Sequence, residues 1–247
     1  MKRTALLAAL LPALALPTAA AGQGGPGFLF SEPDVSLVFR AGYTVPRLDS
    51  DIFVFPLDSL TLGKSDFAGP FFGGELAVRL AERWDVALSG GWSGSESRSE
   101  YENWVDQDRN PIEQVTRFDR WALTLGGKYY LSDRGRTIGR FAWVPRRFSP
   151  YLGGGIGIMG YAFEQEGDFV DFQSPTQEIF RDRLRTTGTG FAGYVNAGTD
   201  FSLGKHVFLS AEARYNLGSG GVGGPFSDFE RVDLAGLQVT GGIGLRW

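Results

Sequence analysis

Alternation with a period of two residues restricts the fold of this chain more than any other feature, and it is clearest in the last eleven residues, Leu237 to Trp247. Leu237, Val239, Ile243, Leu245 and Trp247 share one parity; Gln238, Thr240 and Arg246 share the other. Successive side chains of a β-strand point to opposite faces, so this segment reads as a strand with one apolar and one polar side.

Seven more segments alternate in the same way. Val35, Leu37, Phe39, Ala41 and Tyr43 oppose Ser36, Arg40 and Thr44; Leu76, Val78 and Leu80 oppose Glu75, Ala77 and Arg79. Trp84, Val86, Leu88 and Trp92 oppose Asp85, Ala87, Ser89 and Ser93, and Trp121, Leu123, Leu125, Tyr129 and Leu131 oppose Ala122, Thr124 and Lys128. A glycine-rich strand spans Pro150 to Tyr161, a sixth carries Phe191, Val195, Ala197, Phe201 and Leu203, and a seventh alternates Val207 to Tyr215 with Ser210, Glu212, Arg214 and Asn216. The tiny links at Glu82 and Lys205 force antiparallel hairpins. An even count of eight puts both chain ends on one side. The fold expected is therefore all-β, a single eight-stranded antiparallel up-and-down barrel.

Glycine contributes 36 residues and aromatics 14%, which suits a closed sheet with many tight turns. The formal net charge of −4 and the scattered basic residues argue against nucleic acid as a partner. Met1-Lys-Arg, an Ala/Leu/Pro stretch and Ala19-Ala20-Ala21 read as a cleaved secretory signal over residues 1–21, too short and proline-broken to span a membrane. Residues 22–33 are then a linker and 34–247 the barrel. No cysteine is present, so neither disulfides nor a lipidated cysteine enter the reading.

A soluble barrel also alternates, with its apolar face inward, and spacing discriminates between the two. Trp84 and Trp92 share a parity eight residues apart, as do Trp121 and Tyr129, and Val207 and Tyr215. Eight tilted steps project to roughly 20 Å, close to the apolar band of about 25 Å between the aromatic girdles of a transmembrane barrel. Trp84, Trp92, Trp121, Tyr129, Tyr215 and Trp247 are the expected interface aromatics. The other parity collects Arg40, Glu75, Arg79, Asp85, Lys128, Asp200, Glu212, Arg214 and Arg246, the expected charged lumen. Eight strands leave an interior just wide enough for side chains, so the bore should be plugged.

The export signal, the eight strands, the Pro150-Tyr-Leu-Gly-Gly-Gly-Ile-Gly strand, the Ala211-Glu-Ala-Arg-Tyr215 strand and the terminal aromatic together resemble the OmpA/OmpX-type family of small outer-membrane β-barrels. The resemblance covers essentially the whole mature chain. It implies residence in the outer membrane, outer-membrane lipids and the insertion machinery as partners, and an extracellular ligand or host surface as a candidate partner. The usual terminal residue is Phe, and Trp247 departs from it. Nothing after the last strand resembles the peptidoglycan-binding domain of full-length OmpA proteins.

Short turns face the periplasm and long loops the exterior in such barrels. Here 45–68, 97–114, 164–186 and 217–233 are long and polar, with 19 acidic and 8 basic residues in or beside them, a field that favours basic or cation-bridged partners. Ile52, Phe53, Val54, Phe55, Trp104, Phe169, Val170, Phe172 and Phe180 either pack as a cap over the mouth or form a recognition patch. The segment 132–149 should be a periplasmic turn yet carries Arg134, Arg136, Arg140, Arg146 and Arg147; a hairpin extension or a basic tongue would fit it.

Some members of such families are lipid A-modifying enzymes, but acyl-transfer chemistry generally needs a base, most often histidine. The one histidine, His206, lies in a short turn. Asp106, Asp108 and Asn110 begin like a calcium loop, but Pro111 and Arg117 occupy the glycine and glutamate positions, so the match fails. Gly153, Gly154, Gly155 and Gly157 are read as a strand making room for bulky lumen neighbours, because no helix pattern follows. No catalytic, cofactor or metal site is expected. The reading is a non-enzymatic barrel acting structurally or through surface contacts, with a narrow transporter for small apolar molecules (OmpW-like) as the alternative and a lipid A-modifying enzyme third.

Overall fold

The computed structural model describes residues 27–106, 108–140, 142–171 and 178–247. The expected signal peptide, the start of the linker and Phe172 lie outside the described residues. Eight antiparallel strands close into a ring: β1 (Val35–Pro46), β2 (Gly69–Ala81), β3 (Trp84–Val105), β4 (Pro111–Tyr130), β5 (Phe148–Val170), β6 (Ile179–Ser202), β7 (Val207–Gly220) and β8 (Gly236–Arg246). Each pairs with its sequence neighbour, and β8 pairs with β1 from Gly236↔Pro46 to Arg246↔Ser36, so no edge is left. Trp247 completes the seam by exchanging backbone hydrogen bonds with Val35 at 3.0 and 3.1 Å.

Side chains sort by parity as the alternation requires. Along β1, Val38, Arg40 and Thr44 are buried while Phe39, Tyr43 and Val45 are exposed, and along β4, Thr124 and Lys128 are buried while Leu123 and Leu125 are exposed. The apolar face therefore looks away from the bore.

The strands differ in length. β1, β2, β7 and β8 have 12, 13, 14 and 11 residues, whereas β3, β4, β5 and β6 have 22, 20, 23 and 24. This corrects the expectation of polar loops over 97–114 and 164–186: much of both ranges is strand, and pairing continues to Val105↔Pro111 and Val170↔Ile179. The physical reason lies in a switch of parity. Below Trp92 and Trp121 the apolar residues of these strands face outward. Above them Ile112, Phe118, Tyr161 and Phe163 face inward and are buried, while Glu96, Arg117, Glu164 and Arg183 share the outer face. A wall leaving hydrocarbon for water must exchange its two faces, and the alternation breaks where that happens.

The four long strands form a half-wall rising roughly 25 Å beyond Trp121, at ten tilted residues of about 3.3 Å each. Its hollow is filled by the β1–β2 connection, which holds a short helix α1 (Val54–Ser59) flanked by 3-10 turns, and by the β7–β8 connection carrying Phe226. Phe53 is completely buried at the centre, edge-on to Phe67, Phe118 and Phe163 at 5.4, 5.2 and 5.7 Å between ring centroids. Leu48, Ile52, Leu60, Phe67, Phe226 and Leu234 complete the core of the molecule, which thus sits outside the transmembrane part.

At the opposite end, 132–149 contains a hairpin, Gly135–Ile138 paired with Ala142–Pro145. It folds back across the mouth. Trp143 is buried, bridged through its backbone to Leu29, and has the Arg246 guanidinium 5.5 Å from its ring.

Candidate functional site

The alternating polar parity brings ionic side chains from β1, β2, β4 and β7 into the centre of the bore. Arg40 reaches Glu75 and Glu212, each at 3.3 Å; Lys128 also binds Glu75; Arg214 binds Glu212 at 3.1 Å. Tyr151 of β5 donates to Glu212 at 2.9 Å and accepts from Arg40 at 3.3 Å, and Asn196 donates to Glu212 at 2.8 Å. The Lys128 ammonium lies 4.4 Å from the Tyr151 ring and the Arg214 guanidinium 4.0 Å from the Tyr194 ring. Each carboxylate is shared between cations, and such a network is stable only because no member is left alone.

Room for these groups comes from glycine. A Cβ on Gly155 would stand 2.7 Å from the Tyr194 ring, and one on Gly153 would stand 2.4 Å from Asn196 Oδ1. That is the packing reason for Gly153 and Gly155 in β5.

The nine charged residues expected to share the lumen are not one constellation. Arg40, Glu75, Lys128, Glu212 and Arg214 form the central network. Asp85, Asp200 and Arg246 lie nearer the short-turn end, where Asp85 accepts from Arg134 at 2.9 Å, Asp200 accepts from Tyr130 at 3.0 Å, and Arg246 donates to Ser202 at 2.8 Å. Arg79 stays outside both groups: at the rim it pairs with Glu32 at 2.9 Å and with Asp34. The strand twists past the end of the bore there, and its register with β3 is irregular between Arg79 and Ala81.

Sequence reasoning missed Tyr151, Asn196, Arg120 and Arg134. The first three share the inward parity and could have been found by extending the alternation. Arg134 lies in a segment with no periodicity to read.

The aromatics divide between the two ends of the wall. Trp84 and Tyr129 are paired across strands, with ring centroids 5.0 Å apart, near the short-turn end together with Trp247. Trp92 and Trp121 pair across strands at the other end, where Tyr215 also lies opposite Leu237.

Above the outer aromatics, Arg117 binds Glu96 at 2.8 Å and Glu164 at 2.9 Å, and Arg183 binds Glu164 at 2.8 Å. Hydrogen bonds from Arg183 and then Arg117 hold the Glu164 carboxyl below its ordinary range, against the opposing effect of desolvation. At the β3–β4 tip, Asp106 accepts from the Asn110 side chain at 2.9 Å and from the backbone N–H groups of Asp108 and Asn110 at 2.9 and 2.6 Å, which closes a turn. Among the described residues no acidic, histidine or cysteine cluster has the arrangement to hold a metal. His206 is engaged through Nδ1 with the Arg246 carbonyl at 3.0 Å.

Of the apolar residues in the external segments, Ile52, Phe53 and Val170 are buried in the cap and Phe169 is buried against the Phe180 ring, whereas Val54, Trp104, Val105, Ile179 and Phe180 are exposed. Packing and an exposed apolar rim coexist.

Residues 6–240 match the outer membrane protein beta-barrel domain. The chain is similar to the outer membrane protein OprG of Pseudomonas aeruginosa, with 15% identity, 89% of this chain and 99% of that one covered, and a TM-score of 0.45. It is similar to neisserial surface protein A, with 13% identity, coverage of 86% and 96%, and a TM-score of 0.44. Ail, the attachment invasion locus protein of Yersinia pestis, solved with the heparin analogue sucrose octasulfate, is 13% identical over 88% of this chain and 100% of its own, with a TM-score of 0.43. No curated protein matches the chain.

Proposed function

Because the chain belongs to the outer membrane protein beta-barrel domain family, we propose that it is a non-enzymatic outer-membrane barrel whose role is carried by its external half-wall rather than by its bore. The observation that carries this reading is obstruction at three levels. Trp143 and Arg134 cap the periplasmic mouth, the Arg40–Glu75–Lys128–Glu212–Arg214 network fills the centre, and the Phe53 cluster fills the external mouth. A barrel closed this way offers no open path to conduct, and its outer surface remains the part able to meet a partner.

The outer tips support a contact role. Trp104, Val105, Ile179 and Phe180 are exposed there, beside acidic residues including Glu100, Glu102, Asp106 and Asp182. An apolar rim in a negative field suits a partner that is basic and partly apolar. The test has two readings. In planar bilayers the refolded protein should show no steady current, and a large steady conductance would sink the closed-bore reading. Protein displayed on cells should adhere to a polylysine surface better than to heparin, and shortening the two hairpin tips should remove the difference.

One observation favours the transporter alternative. Gly73 and Gly74 of β2 pair with Gly91 and Gly90 of β3, so the wall is thin there and a cavity reaches it. The Phe71 ring, however, lies over the inner side, close enough that a Cβ on Gly91 would be 2.3 Å from it. A lateral route would require that ring to move.

A further inference from the structure

Between the ionic network and the apolar cap lies a cavity of about 30 Å³, lined among others by Arg40, Arg120, Arg214, Thr44, Thr124 and Gln238. Arg40 and Arg214 spend their charge on Glu75 and Glu212, which Lys128 also shares, so three cations already divide two carboxylates. Arg120 is a fourth cation with none. It is 4% exposed, and among the described residues its guanidinium makes no hydrogen bond or ion pair; its neighbour is the Phe118 ring, 5.2 Å away. The carboxylate whose field reaches it, Asp233, is held by Arg47 at 2.9 Å. On the same cavity, Arg40 Nε, Thr44 Oγ1 and Thr124 Oγ1 are buried without a partner.

Buried charges are paired, and buried donors are hydrogen-bonded, because leaving either alone in a low-dielectric interior is expensive. Here an excess of positive charge and several unused donors converge on one space. A water molecule would satisfy the hydroxyls but not the charge, and among the described residues no carboxylate is in reach. We infer that this cavity is a binding site for a small monovalent anion of chloride size, held by Arg120 with the hydroxyls of Thr44 and Thr124. The space takes about two or three water-sized groups, which suits a monatomic anion. The anion halves the excess of positive charge left by four cations on two carboxylates and joins the transmembrane network to the base of the external cap.

The site can be tested on the whole protein folded in detergent micelles, with chloride as the probe. The ³⁵Cl NMR line should broaden in the presence of wild-type protein, narrow again on titration with bromide, and be unaffected by gluconate. Arg120→Gln should weaken chloride at least tenfold, while Arg117→Gln, on the outer surface, should leave it unchanged. Absence of broadening with wild-type protein, or equal broadening with Arg120→Gln and wild type, overturns the proposal. If Arg120→Gln does not fold, judged by heat-modifiable mobility on a gel, Arg120→Lys takes its place. Weaker but measurable chloride binding is then expected, and unaltered binding overturns the assignment.

Discussion

Arg134, at the foot of the hairpin outside the barrel, donates from Nη1 to Asp85 Oδ2 of β3 at 2.9 Å, within the bore. A residue from a segment that looked like a loose turn therefore satisfies a carboxylate on the barrel wall, and the hairpin is a cap tied from below. Arg134→Ala should leave Asp85, which is 2% exposed, without its cation. A loss of about 1–3 kcal/mol is expected, since the group left behind bears the desolvation penalty. Urea unfolding in lipid vesicles measures it, and an unchanged midpoint would show that the hairpin is not anchored there.

Glu75 and Lys128 are both almost inaccessible and face each other across the bore from β2 and β4. Glu75→Gln strands Lys128 and half of the pairing of Arg40, and should cost about 3–5 kcal/mol. Replacing both Glu75 and Lys128 by Met removes the pair together. That double variant should be more stable than the sum of the single ones, with a coupling of about 0.5–3 kcal/mol. Strict additivity in the same unfolding experiment would mean the two side chains do not interact in the membrane.

The parity switch along β4 locates the border of the hydrocarbon. Leu123 and Val115 lie on the same outer face of one strand, eight residues apart, on either side of Trp121. Leu123→Arg should cost about 2–4 kcal/mol as for a charge near the bilayer midplane. Val115→Arg, on the water side, should stay within roughly 0.5 kcal/mol of wild type. Equal penalties at the two positions would place the border elsewhere.

Glu164 should show pH dependence on the outer surface. Its carboxyl is held below the ordinary glutamate value by hydrogen bonds from Arg183 and Arg117. A depressed native pKa contributes stability that is complete above the unfolded value of roughly 4.3 and is lost as pH falls through the native one. The half-wall should therefore loosen under acid conditions, below about pH 4, before the transmembrane ring does. Protease sensitivity of the folded protein across that range is the measurement, and Glu164→Gln should flatten the profile.

How far the sequence could be read depended on whether a feature is local. The closed ring of eight strands and the outward apolar face follow from alternation that can be counted residue by residue, as in Leu123–Thr124–Leu125 or Val239–Thr240. The outer halves of β3 to β6 were obscured because their apolar residues change sides near Trp92 and Trp121: Phe118 and Phe163 look misplaced until the surrounding solvent changes. The hairpin containing Trp143 has no period at all, so its position could not be anticipated. The central network was legible only as a set of inward charges. Alternation places Arg40, Arg79 and Arg214 on the same face, and nothing in it separates Arg79, which ends at the rim, from the two that meet Glu212.

Along the part of each strand where the alternation is unbroken, the sequence alone determined which side chains look outward and which look into the bore, because in a pleated strand that choice is made by each residue's own position. Only the tertiary structure decided which charges meet, that Arg120 has no acceptor among the described residues, and that Phe53 and Trp143 stop the two mouths. Those outcomes depend on register around a closed ring and on segments folding back from far along the chain. Contacts between residues such as Phe53 and Phe163, more than a hundred positions apart, leave no periodic trace in either stretch of sequence.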